Sequence, residues 1–194
     1  EAFEKAGFWM KQKDLITGID VDSFNPEPYS GIDEQMTRQG IEIVSIRQLV
    51  EEGSDWVPSA YQSLLTLLAD VSLAGGFNPW PFDKYRNELL DPEKTDRDLN
   101  LYARHQGQLV GETCLYPLKH ESRICLTGLT GVQKDYRRRG IATALKVKVI
   151  QKAKEKGYRW IYTGNERTNP MYTLNLQLGY RDCYEDITYW KEVN

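Results

Sequence analysis

Gly131-Val132-Gln133-Lys134-Asp135-Tyr136-Arg137-Arg138-Arg139-Gly140-Ile141-Ala142 is the stretch on which the reading of this 194-residue chain turns. It joins a strand-like run, about Ile124–Val132, to the strongest helical pattern in the sequence, about Ile141 to Lys156. In that helix Ala142, Leu145, Val149 and Ala153 fall on one face, lysines gather near the end, and Gly157 lies just past it. The start of the helix is unusual. Three consecutive arginines oppose a helix N-terminus that already carries about half a positive charge, where Asp or Ser is the ordinary choice. Gly140 allows a close backbone approach, Ala142 keeps the first turn thin, and the N–H groups of that turn are donors. Together they point to a bound anion such as a phosphate or pyrophosphate. The other reading of the same residues is a solvated basic corner.

Working outward, the segments about 99–105, 108–117 and 124–132 read as an antiparallel meander, its first two strands joined at Gln106-Gly107. After the long helix, residues 159–163 read as a strand, 169–178 as a helix and 180–193 as two closing strands. Before the meander, Ile41-Glu42-Ile43-Val44 opens the main domain as a strand. Asp55 is placed to cap a helix with Val57, Tyr61, Leu64, Leu68 and Val71 at helical spacing, closed by Gly75-Gly76. An aromatic loop, Phe77-Asn78-Pro79-Trp80-Pro81-Phe82, leads into a shorter helix ending near Leu90. Residues 22–40, crowded with Asp, Asn, Pro, Ser and Gly, read as a linker.

Residues 1–21 contain a second signal. Ala6-Gly7-Phe8, Asp14-Leu15 and Val21 match Leu178-Gly179-Tyr180, Asp186-Ile187 and Val193 at a constant offset of 172. Self-similarity at one offset suggests duplication, with residues 1–21 as the terminal strands of an upstream copy. Two unrelated helix-to-strand corners that both use Gly would look the same. The sequence does not open on Met, which fits a fragment or a processed product.

Composition narrows the function classes. The net charge is −3, with 25 Lys+Arg against 28 Asp+Glu, which disfavours a sequence-blind nucleic-acid binder and confines any basic patch to one locality. No run approaches the roughly 18 apolar residues of a membrane helix, so no membrane partner is expected. Cys114, Cys125 and Cys183 are odd in number and far apart, which argues against a disulfide framework or a zinc site and for a reducing cytoplasm. His105 and His120 are isolated, and no metal, nucleotide-hydrolysing or serine-hydrolase motif is present.

The pattern Arg137-x-x-Gly140-x-Ala142 after a strand ending in Val132, followed by a strand, an Asn-bearing turn and Asn175-x-x-Leu178-Gly179-Tyr180, resembles the GNAT acyltransferase superfamily over about residues 41–194. The preceding repeat further resembles bacterial tandem-domain members. The resemblance implies an α/β (α+β) fold whose central, mostly antiparallel mixed sheet is flanked by helices, and acetyl-CoA as cosubstrate. It implies that Thr130, Gly131 and Val132 pair their backbone with the pantetheine arm, where their strand splays from the one beginning at Arg159. Arg138, Arg139, Gly140, Ile141, Ala142 and Thr143 would hold the pyrophosphate, with Arg137 at the first motif position and Asn169 touching the arm from the next helix. Many members place a proton-donating Tyr where this chain has Asn175. Tyr172, one turn earlier, is a substitute acid or an acceptor contact.

A thiol of pKa about 8.5 leaves readily near neutrality, whereas an amine of pKa about 10.4 must first lose a proton against about 3.4 units, some 4.6 kcal/mol at pH 7. The base is therefore the larger demand. Alternation places Glu112 on one strand face with Val110, Cys114 and Tyr116, and a carboxylate beside apolar neighbours has a raised pKa suited to accepting a proton. A solvated strand charge is the alternative for Glu112. Trp80, Phe82 and Tyr116 are candidates for an acceptor pocket or for core. The expected function is N-acetyl transfer to a primary amine of a small molecule or peptide by direct attack in a ternary complex. Its rivals are a non-catalytic acyl-CoA-binding module, motivated by Asn175, and nucleic-acid binding through the arginines, which predicts steep salt dependence.

Overall fold

A computed structural model describes residues 2–53, 55–69, 78–121 and 123–192. The expected roles of Val71, Gly75-Gly76, Phe77 and Val193 lie outside them. The elements are α1 (Ala2–Lys5), β1 (Trp9–Asp20), α2 (Ile32–Arg38), β2 (Ile41–Ser45), α3 (Ile46–Glu51), α4 (Val57–Leu68), α5 (Phe82–Leu90), β3 (Asn100–His105), β4 (Gln108–Pro117), β5 (Ile124–Val132), α6 (Ile141–Glu155), β6 (Trp160–Asn165), α7 (Pro170–Gln177) and β7 (Arg181–Trp190). The seven strands form one sheet in the order β2-β3-β4-β5-β6-β1-β7. Every neighbouring pair is antiparallel except β5 with β6, so the sheet is mixed and mostly antiparallel.

Each face of the sheet has its own core. On one face α6 buries Ile141, Leu145, Val149 and Ile150 with Leu101, Val110, Leu115, Ile161 and Tyr180. On the other, α4 and α5 bury Val57, Ala60, Tyr85 and Leu89 with Val44, Tyr102 and Leu109. The α6 register follows from the 3.6-residue period of its apolar positions. Lys146 is the exception, fully buried on α6 with its Nζ 4.9 Å from the centroid of the Tyr180 ring.

Four features differ from the sequence expectation, the first being the N-cap of α4, which is Trp56 without a side-chain cap bond in place of the expected Asp55. Residues 22–40 are more than a linker: they carry two 3-10 turns and α2, and bury Phe24 and Met36 in the α6-side core. Their apolar residues fall among Pro and Gly without a helical period, and only packing against α6 reveals their purpose. A short helix, α3, follows β2 and is capped by Ser45, whose hydroxyl and backbone exchange hydrogen bonds with Gln48. Among the described residues, one closing strand is seen after α7 instead of two, and the strand between β6 and β7 is β1 from the N-terminus.

β1 and β7 are paired around a local dyad. Asp14 lies opposite Asp186, its own counterpart at the 172 offset. Gly7 (φ 82°) and Gly179 (φ 95°) both turn the chain from a helix into a strand through the left-handed region. A Cβ on Gly7 would lie 3.7 Å from the Lys191 side chain, and one on Gly179 would lie 3.8 Å from that of Ile19, again residues 172 apart.

Candidate active site

The parallel pair β5·β6 is held only over Ile124–Leu126 opposite Trp160–Tyr162. Beyond it the strands diverge, and residues 127–132 of β5 keep an unpaired edge facing the gap while their other edge pairs with β4. Thr130 lies on this open edge, and its hydroxyl bonds across β4 to that of Thr113 at 2.7 Å. Gly131 meets α4: a Cβ there would lie 3.2 Å from Leu67. An extended ligand carrying amides could pair with the 127–132 edge as a strand would.

The gap leads to the mouth of α6. Gly140 (φ 84°) is the N-cap and provides no side-chain acceptor for the first-turn N–H groups. Arg138 is also left-handed (φ 63°), and such residues gather successive amides into an anion-binding concavity. Arg137 donates from Nε to the Val132 carbonyl at 2.9 Å, and Arg139 donates to the Asp135 carbonyl at 2.8 Å and lies over the Tyr136 ring. Gln35 and Gln39 of the 22–40 segment both donate to the Arg139 carbonyl at 3.1 Å. Arg137 and Arg139 thus shape the loop through carbonyls, and Arg138 is exposed at its apex. Ile141 is core, so only its backbone faces the mouth; Ala142 and Thr143 are half-buried in the first turn.

On the opposite face of the sheet, α4, α5, β3 and β4 enclose a cavity of about 250 Å³. Its walls include Tyr61, Leu64, Tyr85, Tyr102 and Leu129, with Trp80 and Tyr116 half exposed at its margin and Glu112 in its lining. Glu112 is buried, and its Oε2 has no hydrogen-bond partner. Burial pushes its carboxyl up to about 8. Burial also raises the Tyr85 and Tyr102 phenols, helped by the Glu112 charge, and lifts the Cys114 thiol to about 11. Gly128 makes room at the rim: a Cβ there would lie 2.4 Å from the Tyr116 ring. A larger depression of about 340 Å³, between residues 25–33 and α6, is lined by none of these residues.

One premise about Glu112 needs correction. Val110 does not share its face: Val110 is in the α6-side core while Glu112 lines the cavity opposite. The register shifts between Ala103 and Arg104 leave Val110 as an extra residue on β4, and this bulge breaks the alternation. Cys114 and Tyr116 do line the cavity with Glu112. Phe82 packs edge-on against Tyr61 behind the wall. Tyr61 donates its hydroxyl to the Trp80 carbonyl at 2.6 Å, which anchors the aromatic loop.

α7 places its residues differently from the expectation. Tyr172 donates its hydroxyl to both oxygens of Asp182, at 2.9 and 3.1 Å, and that carboxylate raises the phenol's pKa. This weakens it as an acid near neutrality. Asn175 is buried and donates to Asn165 Oδ1 at 2.8 Å, leaving its own Oδ1 without a partner. Asn169 Oδ1 caps α7 by accepting from the Met171 N–H at 2.9 Å. No helix among the described residues is long and apolar enough to cross a membrane, and no group of acidic, His and Cys residues among them could hold a metal ion.

Residues 62–176, more than half of the chain, match the model of the acetyltransferase (GNAT) family. The chain belongs to the GNAT acetyltransferase family. Solved structures agree on the fold. A GCN5-related N-acetyltransferase from Sphaerobacter thermophilus superposes with a TM-score of 0.71 at 19% identity, over 97% of this chain and 54% of that one. A tandem GNAT protein from the clavulanic acid biosynthesis pathway gives 0.63 at 16% identity, over 97% and 56%. Diaminobutyrate acetyltransferase EctA from Paenibacillus lautus, in complex with L-2,4-diaminobutyric acid and coenzyme A, gives 0.50 at 22% identity, over 72% and 73%. This GNAT chain therefore spans about half the length of the first two. No curated protein matches it by sequence.

The cavity walls Tyr61, Tyr85 and Tyr102 were not singled out by sequence reasoning as site residues. Tyr61 and Tyr85 lie on the inner faces of α4 and α5, where an aromatic looks like core. Only the buried carboxylate among them marks this GNAT face as something other than packing.

Proposed function

We propose that the chain moves the acetyl group of acetyl-CoA to a primary amine of a small molecule or peptide by direct attack in a ternary complex. The carrying observation is Glu112, a buried carboxylate with an unpartnered oxygen in an aromatic cavity, one strand away from the open edge of β5. The unpaired edge and the uncapped, arginine-flanked mouth of α6 suit a ligand with an amide-bearing arm and a diphosphate. Thr130, Gly131 and Val132 take the arm through their backbone. Arg138 with the amides of Arg139 to Thr143 takes the diphosphate, Arg137 holds the loop to β5, and Asn169 uses its Nδ2 because its Oδ1 is engaged.

When bound, acetyl-CoA supplies a thioester carbonyl open to attack and a thiol as leaving group. Glu112 accepts a proton from the incoming ammonium. The neutral nitrogen then forms the C–N bond as the C–S bond breaks, and its second proton leaves with the thiolate. Handing the first proton to an ordinary carboxylate near 4.5 is uphill by about 6 units, whereas Glu112 near 8 reduces the gap to about 2.4. Juxtaposition of thioester and amine does most of the remaining work.

Residues 2–20 are read as the last helix and strand of an upstream GNAT repeat, on the strength of the local dyad. The free, separated cysteines support a reducing cytoplasm, and the tandem layout a bacterial source. The test is thiol release from acetyl-CoA with a panel of primary amines, run beside thermal melts with CoA. Thiol release that depends on the amine supports the reading. A gain in melting temperature without thiol release would instead identify an acyl-CoA-binding module, the role to which the buried amide at Asn175 lends itself.

A further inference from the structure

The chemistry of the cavity narrows the acceptor, an inference that rests on the acyl-transfer reading above. Six side chains decide it: Tyr61, Tyr85, Tyr102, Tyr116, Trp80 and Glu112. The first five present ring faces and edges, and the sixth is the only ionisable carboxylate or base among the described lining residues. No Lys, Arg or His is among them. At about 250 Å³ the cavity falls just below the roughly 300–1,000 Å³ of pockets for drug-sized ligands.

We infer that the acceptor is a small, primary monoamine on an apolar, preferably aromatic, body that carries no anionic group, held with its nitrogen against Glu112. Each part of that statement has a cause. The buried Oε2 of Glu112 has no partner, and a buried acceptor of this kind is costly until a donor arrives. An ammonium provides the donor and the opposite charge, and aromatic faces around it add cation–π attraction. Polar lining atoms are largely engaged already, Tyr61 with the Trp80 carbonyl, Tyr85 with Tyr102, Asn100 with the Asp96 carbonyl and Thr113 with Thr130, so a polyhydroxylated amine would find few partners for its hydroxyls. A carboxylate beside the amine would be forced near Glu112 with no described lining cation to neutralise it, and like charges in a desolvated site are strongly unfavourable.

Binding should also move a proton. In the empty cavity at pH 7 Glu112 is mostly protonated; an arriving ammonium favours its ionised form, and one proton leaves for solvent. No bond to carbon forms or breaks in this step. The transfer that follows returns a proton from nitrogen to the carboxylate, as set out above.

The experiment compares phenethylamine, L-phenylalanine and glucosamine, first as binders by calorimetry in two buffers of different ionisation enthalpy, then as substrates with acetyl-CoA. The expected result is phenethylamine binding with release of close to one proton at pH 7. The proton release should vanish in Glu112→Gln. The kcat/KM for phenethylamine should exceed that of either other amine by at least 100-fold. Equal or better use of L-phenylalanine or glucosamine overturns the inference, as does phenethylamine binding whose heat is independent of buffer. Should acetyl-CoA bind and none of the three be acetylated, the acceptor class is wrong while the acyl-CoA reading stands. Should acetyl-CoA itself fail to bind in the same calorimeter, both fall.

Discussion

Two buried ionisable residues, Glu112 and Lys146, set opposite pH trends. Glu112 sits near 8 in the folded protein against about 4.5 when solvated, so between those values the folded state holds the extra proton. Its contribution is therefore present at low pH and is lost as pH rises through 8. Burial pushes Lys146 down to about 7 from 10.5, so there the unfolded state holds the extra proton, and stability is lost as pH falls through 7. Each window spans about 3.5 units, an upper bound of about 5 kcal/mol. Denaturation of Glu112→Gln should show a gain over the parent at pH 9 that shrinks by pH 5. Lys146→Met should gain at pH 6 and lose that advantage by pH 10. The burial of Glu112 was legible as one of two readings, a lone acid beside apolar residues or a solvated strand charge. Its neighbours were not, because the bulge at Val110 is decided by pairing with β3, which leaves no mark on local sequence.

At the scale of elements, both faces of the meander β3-β4-β5 are buried, yet it was legible from its strand-like runs and the tight Gln106-Gly107 corner, as helix α6 was from its apolar period. Helix α2 was not: its seven residues sit between Gly31 and Gln39 with one fully buried side chain, Met36, and tertiary packing outweighs the Pro and Gly signals around it. The mouth of α6 was legible through Arg137–Gly140, although two of the three arginines turn out to bond main-chain carbonyls, Arg137 that of Val132 at the end of β5 and Arg139 that of Asp135 in the loop. That division of labour makes Arg138 the informative substitution. Arg138→Ala should leave the melting temperature unchanged and weaken acetyl-CoA binding by about 1 kcal/mol, roughly fivefold, in calorimetry. The loss should shrink as salt is raised, because the side chain is exposed.

At the scale of the whole molecule, β1 is buried in its C-terminal half between β6 and β7, while β7 exposes Tyr184, Ile187 and Trp190 along the sheet's outer edge. On the proposed reading of residues 2–20 as the end of an upstream repeat, the dyad through Asp14 and Asp186 would give β7 a neighbour equivalent to the one β6 gives β1. Hydrogen exchange should therefore find the β7 amides that face away from β1 fast in the 194-residue chain and protected in a protein that includes the upstream repeat. Between about pH 7 and 8 both Glu112 and Lys146 are buried largely uncharged, and because both of their pH-dependent losses are then nearly complete, these two groups place a stability minimum there. The central claim is that this carboxylate takes the proton from the acceptor. It is tested most directly by kcat/KM for acetyl transfer to phenethylamine from pH 6 to 9, comparing the parent chain with Glu112→Gln. A loss of about 100-fold or more in the variant, with the parent's rising limb near pH 8 abolished, is the predicted result. An unchanged kcat/KM and an unchanged pH profile in Glu112→Gln would contradict it.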